Sequence, residues 1–281
     1  MSQQPSYALG VSAAVGACAV VGWWFTYQRW QRDVAELQAR LSHPSPPSSP
    51  PGAASAPGSV RGIFEIHITV DHRLSNAFIL MAQFSSDRGF KQVFAAATQA
   101  PPTSTQLMLS AFATKATSSS AAEHAEAIAE DMRRVGLVVL RVKVEAHYDN
   151  CQGVPEEDPE GAASLAPVTA PHTCYFEYHT KAGKGAYDAS LLPALENDLA
   201  EVKGADPRVF TAASVNLYGS GAPLLTVRVY GCGKRTARAH FDRIVKALCV
   251  KGYREPLKVH NEYSVYDTNP ALDCGWLLPG A

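Results

Sequence analysis

The chain has 281 residues, 46% of them hydrophobic, and a net charge of −1. That length holds one or two domains with a sizeable core, and the charge balance excludes a global field that would recruit nucleic acid. Six cysteines at positions 18, 151, 174, 232, 249 and 274 form no Cys-x-x-Cys pair, and no Asn-x-Ser/Thr acceptor occurs, which fits a reducing compartment.

Residues 7–26 carry no charge and end in Trp23, Trp24 and Tyr27, with Arg29 and Arg32 beyond. About 20 apolar residues are enough to cross a bilayer as a helix, and aromatic and basic residues suit its interface. The expectation is a single-pass anchor over residues 1–42 with its juxtamembrane continuation. The flanking arginines place the remaining chain on the cytoplasmic, matrix or stromal side. Ser12 and Gly16, four apart, offer a face for a partner helix. Residues 43–60, rich in Pro, Ser and Ala, read as a spacer.

From residue 63 the pattern repeats. Residues 63–71 alternate, with Phe64, Ile66, Ile68 and Val70 on one face and Glu65, His67, Thr69 and Asp71 on the other, as a half-buried strand does. A helix is expected at 74–86, strands at 90–98 and 106–114, a helix carrying Ala125, Ile128, Ala129 and Met132, and a strand at 137–148. After a Pro- and acid-rich loop at 153–172 the order returns: strand 173–181, helix 189–202, strands 208–218 and 224–231, helix 236–251 and strand 257–267. Phe64-Glu65-Ile66-His67 opens the first half and Phe176-Glu177-Tyr178-His179 the second. The expected fold class is α+β: two tandem ferredoxin-like β-α-β-β-α-β domains, residues 61–152 and 173–281, behind one transmembrane helix.

Helices should cover the apolar face of each sheet, which leaves a polar face in each half. The first carries Glu65, His67, Thr69, Arg141, Lys143 and Glu145; the second carries Glu177, His179, Lys181, Arg228, His260 and Glu262. An open face laced with ion pairs accounts for these residues, and so does a site. Cations among the donors speak against a metal, and no metal ligands are assigned. Lys143, Lys181 and Arg228 suit an anion, with His67 or His179 to move protons. Gly231-Cys232-Gly233-Lys234 joins a strand to a helix, where its amides could meet a phosphate or simply make the turn.

His67-Ile68-Thr69-Val70 resembles the His-x-Thr strand of the 2H phosphoesterases, two-lobed enzymes with one such strand in each lobe. That resemblance implies acid–base roles for His67 and His179, with Thr69 and Lys181 at the positions that hold the diester; Lys181 stands where the family has a hydroxyl. Over residues 63–277 the chain also resembles a family of duplicated ferredoxin-like proteins, through Phe-Glu-x-His, Arg-Val-Lys-Val-Glu and the ending Glu262-Tyr263, Asp267, Asn269, Asp273 and Trp276. This second likeness brings no activity. The expectation is a membrane-tethered binding or assembly module for an unidentified small molecule, with Glu65, Lys143, Glu145, Glu177, Arg228, His260 and Glu262 as its binding residues and no cofactor assigned. The alternative is a phosphodiester-processing enzyme.

Overall fold

The computed structural model describes residues 59–97, 105–159, 174–183, 191–219, 222–274 and 276–277. Every described residue belongs to one compact unit. Its first half runs β1 (Arg61–Val70), α1 (Ala77–Arg88), β2 (Lys91–Ala97), β3 (Thr105–Thr117), α2 (Ser118–Arg134) and β4 (Val139–His147). Its second half runs β5 (Tyr175–Lys181), α3 (Leu192–Val202), β6 (Val209–Asn216), β7 (Pro223–Tyr230), α4 (Lys234–Val250) and β8 (Val259–Asp267), and a short 3-10 turn follows at Pro270–Asp273.

The expected pair of separate open-faced domains is corrected by the strand pairing. Within the halves the order is β4-β1-β3-β2 and β6-β7-β5-β8, and the two runs join edge to edge into one closed barrel of eight antiparallel strands. One seam pairs β2 with β6 over Ala95–Asn216, Ala96–Val215 and Ala97–Ser214. The other pairs β4 with β8 from Lys143–Asp267 to His147–Glu262, with a bulge at Val144/Glu145. Closure satisfies backbone groups that two separate sheets would leave as open edges. That is why two halves with ordinary ferredoxin-like strand order do not stand as two domains.

The expected anchor over residues 7–26, with Ser12 and Gly16, lies outside the described residues. Among the described residues no helix is long and apolar enough to cross a membrane. The single-pass topology and the side of the membrane inferred from it are corrected accordingly and are not carried further.

The helices pack on the outside of the barrel. Phe64, Ile66, Ile68 and Val70 of β1 are fully buried in one cluster with Ala125, Ala129 and Met132 of α2, while Val227, Val229 and Tyr178 meet Phe241 and Ile244 of α4. Each buried Val, Ile, Phe or Met side chain among them contributes roughly 1.5–3 kcal/mol. The caps fix where the helices begin and end. Thr117 and Ser120 make a reciprocal capping box at α2, and Gly89 closes α1 in the left-handed region at φ 67°. With the apolar side chains directed outward to the helices, the alternate residues of every strand point into the barrel.

Candidate functional site

Closure turns the two polar faces into one interior. Across β1 and β4 the register sets Glu65 beside Glu145, His67 beside Lys143 and Thr69 beside Arg141. Across the seam His147 lies beside Glu262, and β8 in turn sets Glu262 beside Glu177 and His260 beside His179. Glu177 is next to Arg228 on β7. The structure therefore brings together Glu65, His67, Lys143, Glu145, Glu177, His179, Arg228, His260 and Glu262 from both halves.

One end of this interior is sealed. Arg141 donates from Nε to Asp267 Oδ1 at 2.9 Å, from Nη1 to Asp273 Oδ2 at 2.9 Å and from Nη2 to the Tyr175 hydroxyl at 3.1 Å. Arg228 reaches the same Asp273 Oδ2 at 2.9 Å, donates from Nε to Glu177 Oε2 at 2.6 Å, and lies 4.2 Å above the Tyr175 ring. Asp273 arrives on the C-terminal tail, where Gln106 donates to its other oxygen at 2.9 Å. Thr69 sits in this buried zone. In the middle, Lys143 Nζ is 2.7 Å from Glu145 Oε1 and 3.2 Å from Glu177 Oε1.

The other end is open to solvent. The side chains of His67, His147 and His179 are 19%, 24% and 29% exposed. His67 Nε2 is 3.3 Å from Glu145 Oε2, while its Nδ1 is buried with no hydrogen-bond partner. His147 Nε2 lies 3.4 Å from Glu65 Oε2 and 3.9 Å from Glu262 Oε1. His179 Nε2 lies 2.9 Å from Glu177 Oε1 and 3.2 Å from Glu262 Oε2, and its Nδ1 is 2.9 Å from the Thr226 hydroxyl. Ser110 donates a short hydrogen bond to Glu65 Oε1. Lys181 is exposed where β5 ends.

Burial and neighbouring charge divide these groups. Burial pushes the Glu145 carboxyl up to about 8, against the pull of Lys143. Burial would raise Glu177 too, but Arg228 and then Lys143 hold it well below the carboxylate range. Burial would likewise raise Glu65, which His67 and His147 bring well below that range. Burial opposes the charge on the histidines, yet contact with Glu65 and Glu262 lifts His147 to about 9, and Glu177 and Glu262 lift His179 to about 10. Burial prevails at His67, which is lowered, and at His260, which falls to about 4. At neutral pH the open end thus holds two imidazolium and two neutral imidazole groups around ionised Glu65, Glu177 and Glu262.

The Gly231–Lys234 turn is filled by the chain itself. Gly233 N donates to Asp158 Oδ1 at 2.8 Å and Lys234 N to the Pro155 carbonyl at 2.9 Å. A Cβ on Gly233 would stand 2.3 Å from the Glu157 carbonyl carbon, so glycine is required for this approach.

Sequence reasoning did not select His147, Ser110, Tyr175, Asp267 or Asp273 as site residues. His147 had a signal, since it shares strand parity with Glu145 on an alternating strand. Asp267 and Asp273 lie in the terminal motif that carries the family resemblance, but nothing in their spacing says that the tail folds back into a barrel.

No family model and no curated protein matches the chain. Among solved structures it is similar to a protein assigned as a monooxygenase from Fusobacterium nucleatum subsp. nucleatum ATCC 25586, at 7% identity over 75% of this chain and 94% of that one, with a TM-score of 0.27. It is also similar to a mutant chlorite dismutase from Candidatus Nitrospira defluvii, at 11% identity over 72% of this chain and 91% of that one, with a TM-score of 0.24. Likeness of this degree carries no argument, and the functional reading rests on the site's own geometry.

Proposed function

We propose that the chain is a binding module whose ligand is cationic and enters the barrel at the end lined by His67, His147, His179 and His260. The observation that carries this reading is the pairing of the interior cations. Lys143 is held by Glu145 and Glu177, Arg228 by Glu177 and Asp273, and Arg141 by Asp267 and Asp273. An anion would have to displace a carboxylate from each of these cations, at a cost of leaving a buried charge without its partner. A cation meets the carboxylate oxygens of Glu65 and Glu262 and the neutral imidazoles of His67 and His260, all electron-pair donors.

The phosphodiester alternative draws support from His67 and His179, which share one interior. Its remaining parts are badly placed for it. Thr69 lies in the sealed zone beside Arg141, and Lys181 stands exposed at the end of β5. Ionised Glu65, Glu177 and Glu262 around the two histidines would also repel a diester.

The imidazole resonances of the full chain separate the two readings. Titration with divalent metal ions and with small organic ammonium ions should shift histidine signals in the barrel, and phosphodiesters should leave them in place. Turnover of a phosphodiester that disappears in both His67→Ala and His179→Ala would overturn the binding reading.

A further inference from the structure

We propose that Glu65, His147 and Glu262 hold one divalent first-row transition-metal ion at the open end of the barrel, the ion taking the place of the His147 Nε2 proton, which leaves to solvent. This rests on the cationic-ligand reading and names the ligand.

The three residues come from β1, β4 and β8, consecutive strands that bring both halves of the chain to one place. One donor atom from each lies within 4.8 Å of the other two. His147 Nε2 is 3.4 Å from Glu65 Oε2 and 3.9 Å from Glu262 Oε1. An ion about 2.0–2.2 Å from each nitrogen and oxygen spreads its ligand atoms roughly 3–4 Å apart. Both His147 distances lie in that range, and all three side chains stand on paired strands rather than on loops.

Glu262 is only 3% exposed, and its two oxygens face different histidines, Oε1 toward His147 Nε2 at 3.9 Å and Oε2 toward His179 Nε2 at 3.2 Å. The His179 imidazolium balances Oε2, which leaves Oε1 as the oxygen for the ion. Around the trio, the Ser110 hydroxyl donates to Glu65 Oε1, the kind of outer contact that fixes a ligating carboxylate.

The donor set selects the ion. One imidazole and two carboxylates with no thiolate suit Zn²⁺, Mn²⁺, Fe²⁺ or Co²⁺ rather than Cu⁺. Three protein ligands are too few for Ca²⁺, which takes six to eight oxygens. Because His147 is 24% exposed, the remaining coordination positions face solvent, as they do where a metal keeps a water or takes a substrate.

The same three contacts also describe an imidazolium held between two carboxylates, and the experiment separates these cases. Full-length protein, stripped with a chelator and dialysed, is titrated with Zn²⁺ by calorimetry and with Co²⁺ by visible absorption. The expected result is one equivalent per chain, with Glu65→Gln, His147→Gln and Glu262→Gln each weakening affinity by at least about tenfold. His240→Gln, whose ring pairs with Asp206 at 3.4 Å outside the barrel, should leave binding unchanged. Circular dichroism establishes that each variant folds. Should Glu262→Gln fail to fold, the other two carry the comparison. Absence of binding at millimolar Zn²⁺ and Co²⁺ overturns the proposal, and so does stoichiometric binding that survives all three substitutions. If neither metal binds but organic ammonium ions still shift the barrel histidines, the metal site fails and the cationic-ligand reading stands. If neither class binds, both fail.

Discussion

Arg141 of the first half and Arg228 of the second end on the same oxygen, Oδ2 of Asp273, each at 2.9 Å. A residue beyond the last strand therefore ties the two halves together inside the barrel. Buried ion pairs of this kind are weak evidence of net stability, because desolvation offsets their attraction. The outward apolar layer and the closed ladder supply the stability, and the interior charges specify which strand lies where. A one-residue slip of β4 against its neighbours would turn Arg141 out of the barrel and carry an apolar residue in.

Removing the shared carboxylate tests this arrangement. Asp273→Ala leaves two buried guanidinium groups each short of a partner, and should cost roughly 3–5 kcal/mol. Urea unfolding of the variant beside the parent measures it. A loss below about 1 kcal/mol would mean that solvent already reaches the sealed end.

The two seams should differ in dynamics. β2 and β6 are joined by three residue pairs, β4 and β8 by five. Amide exchange at residues 95–97 and 214–216 should consequently be faster than at 143–147 and 262–267. Equal protection at both seams would show that the barrel opens only by global unfolding. By the same argument, residues 56–152 and 174–281 expressed apart should fail to give cooperative monomeric transitions, because each would expose two sheet edges.

How far the sequence foretold this is clear from β1 and β4. Alternation in residues 63–71 and 137–148 placed Glu65, His67, Lys143 and Glu145 on one face, and they share one interior. Alternation cannot say whether a polar face looks out at water or in at another sheet, since both leave the same period of two. Closure is made by backbone hydrogen bonds between β2 and β6 and between β4 and β8, which leave no side-chain signature. Hence the expectation of two open sheets, and hence the omission of His147, whose partner Glu262 lies across a seam. Alternation put Glu177 and Arg228 on one face, whereas Lys143 belongs to the other half and meets Glu177 only because the barrel closes.

Outside the barrel, Asp206 gives a titration with a definite sign. Hydrogen bonds from Arg208 lower its carboxyl from 3.8 to about 2. A depressed carboxylate contributes stability above its unfolded value of 3.8, and that contribution is lost as pH falls toward about 2. In Arg208→Ala the side-chain carboxyl resonance of Asp206 should titrate above about 2, part of the way back toward 3.8, because the backbone amide of residue 208 still donates to it. With partial exposure screening the pair, the variant should lose roughly 1 kcal/mol at pH 6 and nothing relative to the parent near pH 2. An unchanged midpoint would assign the shift to some group other than Arg208.

His67 and His179 occupy matching places in the two halves, yet the interior treats them differently. His179 is charged, 2.9 Å from Glu177 and 3.2 Å from Glu262. His67 is kept neutral by burial, with Nδ1 making no hydrogen bond. His179→Ala therefore strips a cation from two buried carboxylates, and should cost roughly 1–3 kcal/mol at pH 7. His67→Ala removes a neutral ring that already carries an unsatisfied nitrogen, and should cost no more than about 1 kcal/mol. Urea midpoints for the two variants at pH 7 give the comparison directly. If both change by less than about 0.5 kcal/mol, as exposed positions usually do, the histidines stand on a solvated surface and the closed, ion-paired interior is wrong. Equal and large losses would instead mean that His67 is charged in the fold, with Glu145 ionised beside it as its partner.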